Sequence, residues 1–138
     1  LRLEKNWGAW TLDFRPDFTA AESGLDVFIN WDKEFVGKKA AQEEKKQGPK
    51  KKLVTMTIDT KDIDVTNDEA ILKDNKCIGY ITSGGYAHHV KKSMALGYVP
   101  TELSKHDTNL EVEINGKLYA ASVTAKPLYD ANGEKMRS

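Results

Sequence analysis

The chain has 138 residues, 39% of them hydrophobic, and its 21 basic side chains balance 21 acidic ones. That length suits one domain, or one domain plus a piece of another, with a modest core. Zero net charge supplies no overall field to draw in nucleic acid or an anionic membrane. No apolar run approaches the roughly 20 residues of a membrane span, and a single cysteine, Cys77, cannot form an internal disulfide.

In chain order, residues 1–48 mix helix, loop and strand signals. Leu1–Trp10 suits either a short helix or an extended entry segment. Phe14-Arg15-Pro16-Asp17 reads as a loop, because Pro16 pushes Arg15 out of the helical region. Leu25, Val27, Ile29 and Trp31 alternate, which predicts a short strand. Val36–Gln47 reads as a helix, with Ala40 and Ala41, a Glu34–Lys38 pair four residues apart, and Gly48-Pro49 as a stop. Lys45, Lys46, Lys50, Lys51 and Lys52 form a basic hinge. No aromatic residues interleave with them for base stacking, so a solvated linker that deters edge pairing is the expectation over phosphate contact.

Residues 51–130 read as β structure. Leu53–Asp59 alternates, with Val54, Met56 and Ile58 on one face; Lys76–Thr82 and Ser93–Val99 are further strands. Leu110–Ile114 alternates cleanly and runs into Asn115-Gly116, a dipeptide suited to a tight hairpin whose central residues need positive φ. Leu118–Ala125 returns, and Pro127 ends it. The fold class is therefore α+β, mainly β. Short strands at this spacing suggest a small barrel or sandwich after a helix/loop/strand segment.

Several side chains carry chemical signals. Cys77, in an apolar stretch, is expected to be buried. Asp59, Asp62, Asp64, Asp68 and Glu69 form an acidic loop. A calcium loop starting at Asp59 would need glycine where Asp64 stands and glutamate where Ala70 stands, so a plain surface loop is expected. His88 and His89 are adjacent, which on a strand points them to opposite faces and makes a poor chelate; no metal site and no catalytic residue is expected. Ser83-Gly84-Gly85-Tyr86 lacks the ending of a phosphate loop and reads as a tight loop permitting a sharp turn or close backbone approach. Arg2, Glu4, Trp7 and Trp10 could bind a flat heterocycle, the rings stacking and the carboxylate accepting two N–H bonds. They could equally be core tryptophans beside a salt-bridged glutamate.

Taken as an ordered set, several segments resemble the C-terminal part of the glycine-cleavage T-protein (aminomethyltransferase) family. They are Arg2-Leu3-Glu4-Lys5, Ala9-Trp10, Glu22-Ser23-Gly24-Leu25, Asp32 through Ala40, Lys52-Leu53-Val54, Gly79 through Tyr86, Lys92 through Pro100, and Lys126 through Asp130. The Leu-Glu-Lys wording and the Gly-Gly-Tyr segment are similar to the tails of dimethylglycine and sarcosine dehydrogenases. Thr11 stands where relatives usually have glycine, and Ala20 where proline is common.

The resemblance implies a C-terminal antiparallel barrel of about six strands over residues 49–138, with 1–48 as the end of a folate-binding domain. It implies tetrahydrofolate as the parent's cofactor, FAD in a domain upstream of Leu1 if the dehydrogenase branch holds, and the rest of the same polypeptide as partner. Nucleic acid and membrane are not expected partners. An oxidoreductase that passes a one-carbon unit to tetrahydrofolate is implied. The alternatives are a T-protein aminomethyltransferase, a tetrahydrofolate-dependent demethylase, or a stand-alone structural barrel. The segment by itself is expected to be inactive, and its compartment to be the cytoplasm, or the mitochondrial matrix in a eukaryote. By resemblance, Glu4 binds the pterin's N–H donors, Lys33 lies near a basic residue facing the folate, Trp10 takes an aromatic position near the pocket, and Tyr86 sits in a loop close to it.

Overall fold

In the computed structural model, residues 1–135 and 137–138 are described. Six strands form a closed barrel: β1 (Lys51–Ile58), β2 (Ala70–Lys73), β3 (Lys76–Ala87), β4 (Lys92–Pro100), β5 (Asn109–Ile114) and β6 (Lys117–Thr124). Their spatial order is β1-β4-β3-β2-β5-β6, with β6 pairing back onto β1, and every neighbouring pair is antiparallel. Closure leaves no exposed edge. Asn115 and Gly116 both adopt positive φ in the β5–β6 hairpin, as expected, and Asp74-Asn75 does the same between β2 and β3. β2 escaped the sequence reading because it is only four residues long.

The barrel interior is filled by Val54, Met56 and Ile58 of β1, Ile71, Ile81, Ala95, Val99, Val112, Ile114 and Val123. Alternation predicts that one face of β1 and β4 is wet. Instead Val54-Thr55-Met56 and all of Ser93–Val99 are buried. The reason is that residues 1–35 pack as an arm on the outside of the barrel. Phe18 stacks on Tyr98 with ring centroids 3.5 Å apart, and a short 3-10 helix, Leu3–Lys5, lies against β3 and β4.

Three local expectations are corrected. Leu25–Trp31 is not a strand: it holds a 3-10 helix at Asp26–Phe28, since a closed barrel offers no edge for it to pair with. Ser83–Tyr86 is not a loop but extended β3. Its glycine serves close approach, because a Cβ on Gly84 would stand 2.4 Å from the Val65 carbonyl oxygen. Cys77 is exposed rather than buried, lying two residues beyond the Asp74-Asn75 turn, where the barrel wall faces out. The predicted helix forms as α1 (Lys38–Gln47), with no buried residue; it is held from outside by a Thr19–Glu44 hydrogen bond and by Lys45 over the Trp31 ring at 4.5 Å.

Candidate functional site

The arm is fixed to the barrel by two buried carboxylates. Asp13 is fully buried. Its Oδ2 accepts from the Ala9 N–H at 2.7 Å, Ser83 Oγ at 2.8 Å and Arg2 Nη1 at 3.1 Å, and Thr82 Oγ1 donates to its Oδ1. Adjacent residues on a regular strand could not both reach one carboxylate. Here the pairing of β3 with β4 slips between Ile81 and Ser83, and that bulge turns both hydroxyls toward Asp13. The Thr-Ser-Gly segment is thus a clasp for the arm. Ser23 and Tyr98 extend it: the Tyr98 hydroxyl donates to the Asp13 carbonyl at 2.8 Å and lies 2.8 Å from Ser23 Oγ. Burial holds the Tyr98 phenol above its ordinary pKa.

Glu4 is the second carboxylate, 1% exposed. Its Oε1 accepts the backbone N–H groups of His89 at 2.7 Å and Val90 at 3.3 Å, in the turn between β3 and β4. Its Oε2 lies 3.2 Å from His89 Nδ1 and 3.7 Å from the Leu1 amino group. Burial pushes the Glu4 carboxyl up, but these hydrogen bonds outweigh it and hold the group below its ordinary pKa. The donors it was expected to take from a pterin are supplied by the chain itself. In this structure Glu4 secures the β3–β4 turn rather than offering a free carboxylate.

The other expected site residues are dispersed. Trp10 is 78% exposed and belongs to an aromatic group on the arm: Phe14 stands edge-on to Trp10 at 6.0 Å and to Trp7 at 5.8 Å, and Phe28 edge-on to Trp7 at 6.3 Å. Tyr86 is exposed on β3, edge-on to the His88 ring at 5.1 Å. Lys33 is exposed in the turn before α1, and among the described residues no hydrogen bond or ion pair of its side chain joins it to Glu4, Trp10 or Tyr86. One recess, about 560 Å³, lies between α1 and residues 19–31; a second, about 320 Å³, lies between Trp7, Phe14 and Leu25 of the arm and Leu53–Thr55 of β1. Glu4, Trp10, Lys33 and Tyr86 line neither. The larger recess holds no convergent set of charged donors, so its size alone does not make it the site.

Sequence reasoning grouped Arg2 with Glu4, Trp7 and Trp10 but gave it no role of its own. Its guanidinium is anchored by Asp13 and by Ser83 Oγ at 3.0 Å, yet its side chain remains 38% exposed. A cation held rigid on one edge and open on another suits an anion. Proximity of Arg2 to Trp7 and Trp10 in the sequence was the available signal. Among the described residues no cluster of three metal-ligating side chains occurs, and no helix is long and apolar enough to cross a membrane.

Comparison with known proteins accounts for this architecture. Residues 51–130 match the glycine cleavage T-protein C-terminal barrel domain. Over 130 residues the chain is 42% identical to dimethylglycine dehydrogenase, mitochondrial, from Rattus norvegicus, covering 93% of the chain but 15% of that protein. It is 37% identical over 131 residues to an aminomethyltransferase from Synechocystis sp., covering 94% of the chain and 35% of the relative. The crystal structure of glycine cleavage system aminomethyltransferase T from Bartonella henselae superposes with a TM-score of 0.87 at 28% identity, over 95% of this chain and 37% of that one. The chain therefore corresponds to a domain-sized portion of much longer relatives, and it belongs to the glycine cleavage T-protein C-terminal barrel family.

Proposed function

We propose that the chain is the tetrahydrofolate-facing C-terminal portion of a dimethylglycine- or sarcosine-dehydrogenase-like oxidoreductase, with residues 1–48 ending the folate-binding region and residues 49–138 forming the supporting barrel. The observation that carries this reading is the arm's inverted burial. Two of its carboxylates, Glu4 and Asp13, are inside, while Trp7, Trp10 and Phe28 are exposed on a rigid mount. Aromatic faces held this firmly suit a flat heterocycle and the remainder of a longer polypeptide. In that role Trp10 stacks, Tyr86 flanks, and Arg2 and Lys33 offer cations to an anionic tail. Glu4 and Asp13 keep the arm and the β3–β4 turn in place.

Tetrahydrofolate, when bound, supplies the nitrogen that accepts the one-carbon unit. The FAD of the dehydrogenase reading belongs to another part of the polypeptide, and no residue here is assigned to it. The compartment follows the reading: cytoplasm, or the mitochondrial matrix, in keeping with the mitochondrial rat relative.

The second reading, a glycine-cleavage aminomethyltransferase or a tetrahydrofolate-dependent demethylase, is favoured by the Synechocystis and Bartonella similarities. A flavin absorption spectrum of the purified full-length polypeptide separates the two. For the folate role itself, calorimetric binding of 5-formyltetrahydrofolate to the full-length polypeptide should weaken about three- to tenfold in Trp10→Ala, the loss of one aromatic stack. An affinity changed by less than about twofold removes Trp10 from the site. The 138-residue chain alone should bind at millimolar concentrations or weaker, because a pre-organised pocket needs all its walls; micromolar binding contradicts that.

A further inference from the structure

The helix α1 joins the arm to the barrel, and none of its residues is buried. Its sequence does not make it stable by itself. Ten residues fall short of the roughly 12–15 that an isolated helix needs in water. Lys38 and Lys39 put positive charge in the first turn, where the helix dipole disfavours it, and Gly37 at the N-cap offers no side chain to cap the free N–H groups. Lys45 and Lys46 in the last turn favour the helix, but they act at one end.

Docking therefore holds α1, and the docking is slight. Thr19 Oγ1 donates to Glu44 Oε1 at 2.7 Å, and Lys45 Nζ stands 4.5 Å from the Trp31 ring. Behind these two contacts the recess of about 560 Å³ stays open. Ala40 and Ala41 line it on the helix side, and Ala20, Ala21, Ile29 and Trp31 on the arm side.

Both ends of the segment are suited to turning. Gly37 has φ of 89° and Gly48 of 82°, a region that glycine enters freely, and a Cβ on either would meet open space. The bodies on the two sides are fixed without help from the helix. Asp13 clasps the arm, and the Leu53 N–H donates to the Glu22 carbonyl at 2.8 Å. The Thr101 N–H donates to the Lys50 carbonyl at 3.1 Å, and its hydroxyl to the Pro49 carbonyl. Residues 37–48 can move without pulling on either body.

We propose that α1 is a strap hinged at Gly37 and Gly48. It swings between the docked position, latched by Glu44 and Lys45, and a released one that uncovers the apolar wall of Ala20, Ala21, Ile29 and Trp31. Glu4, Trp10, Lys33 and Tyr86 take no part in that recess, so the inference stands apart from the folate reading.

Amide hydrogen exchange of the 138-residue chain, read residue by residue by NMR, tests it. The amides from Ala41, bonded to the Gly37 carbonyl, to Gly48, bonded to the Glu44 carbonyl, report the strap. They should exchange on the order of a hundredfold faster than those of β1 and β4, relative to their unprotected rates. Glu44→Ala removes the latch while installing a better helix former. It should still accelerate all these amides together, by about three- to tenfold, shift the Trp31 indole signal and leave β1 and β4 unchanged. Lys45→Gln should act in the same direction and more weakly. Protection in α1 equal to that of β1 overturns the proposal. So does acceleration confined to the last turn, which is fraying rather than swinging. Exchange that is slowed or unchanged in Glu44→Ala also overturns it, because helix propensity and not the latch then governs the segment.

Discussion

The barrel and the arm are built on opposite principles. In the barrel every strand has two hydrogen-bonded neighbours, and the enclosed side chains are apolar, with Met56, Ile71, Ile81 and Val112 fully buried. In residues 1–48 the only large apolar side chain that is buried is Phe14, whereas Glu4 and Asp13 are; Trp7, Trp10, Leu12, Val27, Phe28 and Val36 are exposed. The barrel is held by burial of area, which is non-directional. The arm is held by a few directional contacts to buried charge, which set its position more than they stabilise it. Under the proposed reading, a segment that buries Glu4 and Asp13 while displaying Trp7, Trp10 and Phe28 lies between two bodies, and the barrel is one of them.

The sharpest way to break this contrast is Asp13→Ala. It leaves the Ala9 N–H, the Thr82 and Ser83 hydroxyls and one edge of Arg2 without their acceptor. Removing one member of such a buried cluster is expected to cost about 3 kcal/mol. The loss should fall on the arm first. Amide exchange should accelerate over residues 1–35 while β5 and β6 stay protected. A cost below about 1 kcal/mol, or uniform loss of protection through the barrel, contradicts the idea that the Asp13 contacts anchor the arm.

The complementary probe strikes the barrel. Gly84→Ala places a methyl group against the Val65 carbonyl oxygen and side chain, both backed by the core. Overpacking of this kind costs about 1–3 kcal/mol. Unlike the Asp13 variant, it should lower protection in β3 and around Val65 and leave the Arg2–Asp13 contact in place. Urea denaturation followed by tryptophan emission, which reports the arm, and by far-ultraviolet dichroism, which reports the strands, distinguishes the two variants.

The same contrast governs how much could be read beforehand. The barrel was legible because its signals are local: alternation in Leu53–Asp59 and Leu110–Ile114, and a turn dipeptide at Asn115-Gly116. The arm was not, because its structure is set by partners about 70 to 85 residues away, such as Asp13 with Thr82 and Glu4 with His89. Leu25–Trp31 shows the cost: its alternation is genuine, yet no strand edge is available to receive it. The local contacts of Glu4 and Arg2 were hidden for a similar reason. Sequence places both at the head of the chain beside two tryptophans, but it does not reveal that a distant turn occupies the carboxylate and leaves the guanidinium partly open.

Acid provides a graded test. Glu4 and Asp130 both titrate below their ordinary values of 4.5 and 3.8. In each case burial pushes the group up. His89 and Val90 for Glu4, and Lys5 and the Lys135 N–H for Asp130, then bring it below the ordinary value. A carboxylate whose folded pKa is depressed contributes stability that is complete above the unfolded value and is lost as pH falls through the folded one. Both groups tie the arm, Glu4 to the β3–β4 turn and Asp130 to Lys5 at 3.1 Å. Lowering pH from about 5 to about 3 should therefore loosen arm and tail before the barrel. In Glu4→Gln the acid sensitivity of arm protection should be reduced. An unchanged acid profile in that variant places the sensitivity elsewhere.

The smallest expected effect sharpens the contrast from the arm's own backbone. Thr11 adopts φ of 68°, a left-handed conformation that a β-branched residue enters only at a cost. Glycine takes it without strain. The turn is nevertheless kept, because the Thr11 N–H donates to the Phe14 carbonyl at 3.2 Å and the Asp13 and Phe14 N–H groups both reach the Ala9 carbonyl. The clasp on Asp13 thus enforces a conformation that Thr11 resists. Thr11→Gly should relieve that strain, offset in part by the greater freedom of glycine in the unfolded chain, for a net gain of about 0.5–1 kcal/mol. The gain should vanish when Asp13→Ala is also present, since a released arm no longer forces the turn. Additive effects in that double-mutant cycle would show that the residue 9–14 turn forms by itself and that the clasp merely receives it.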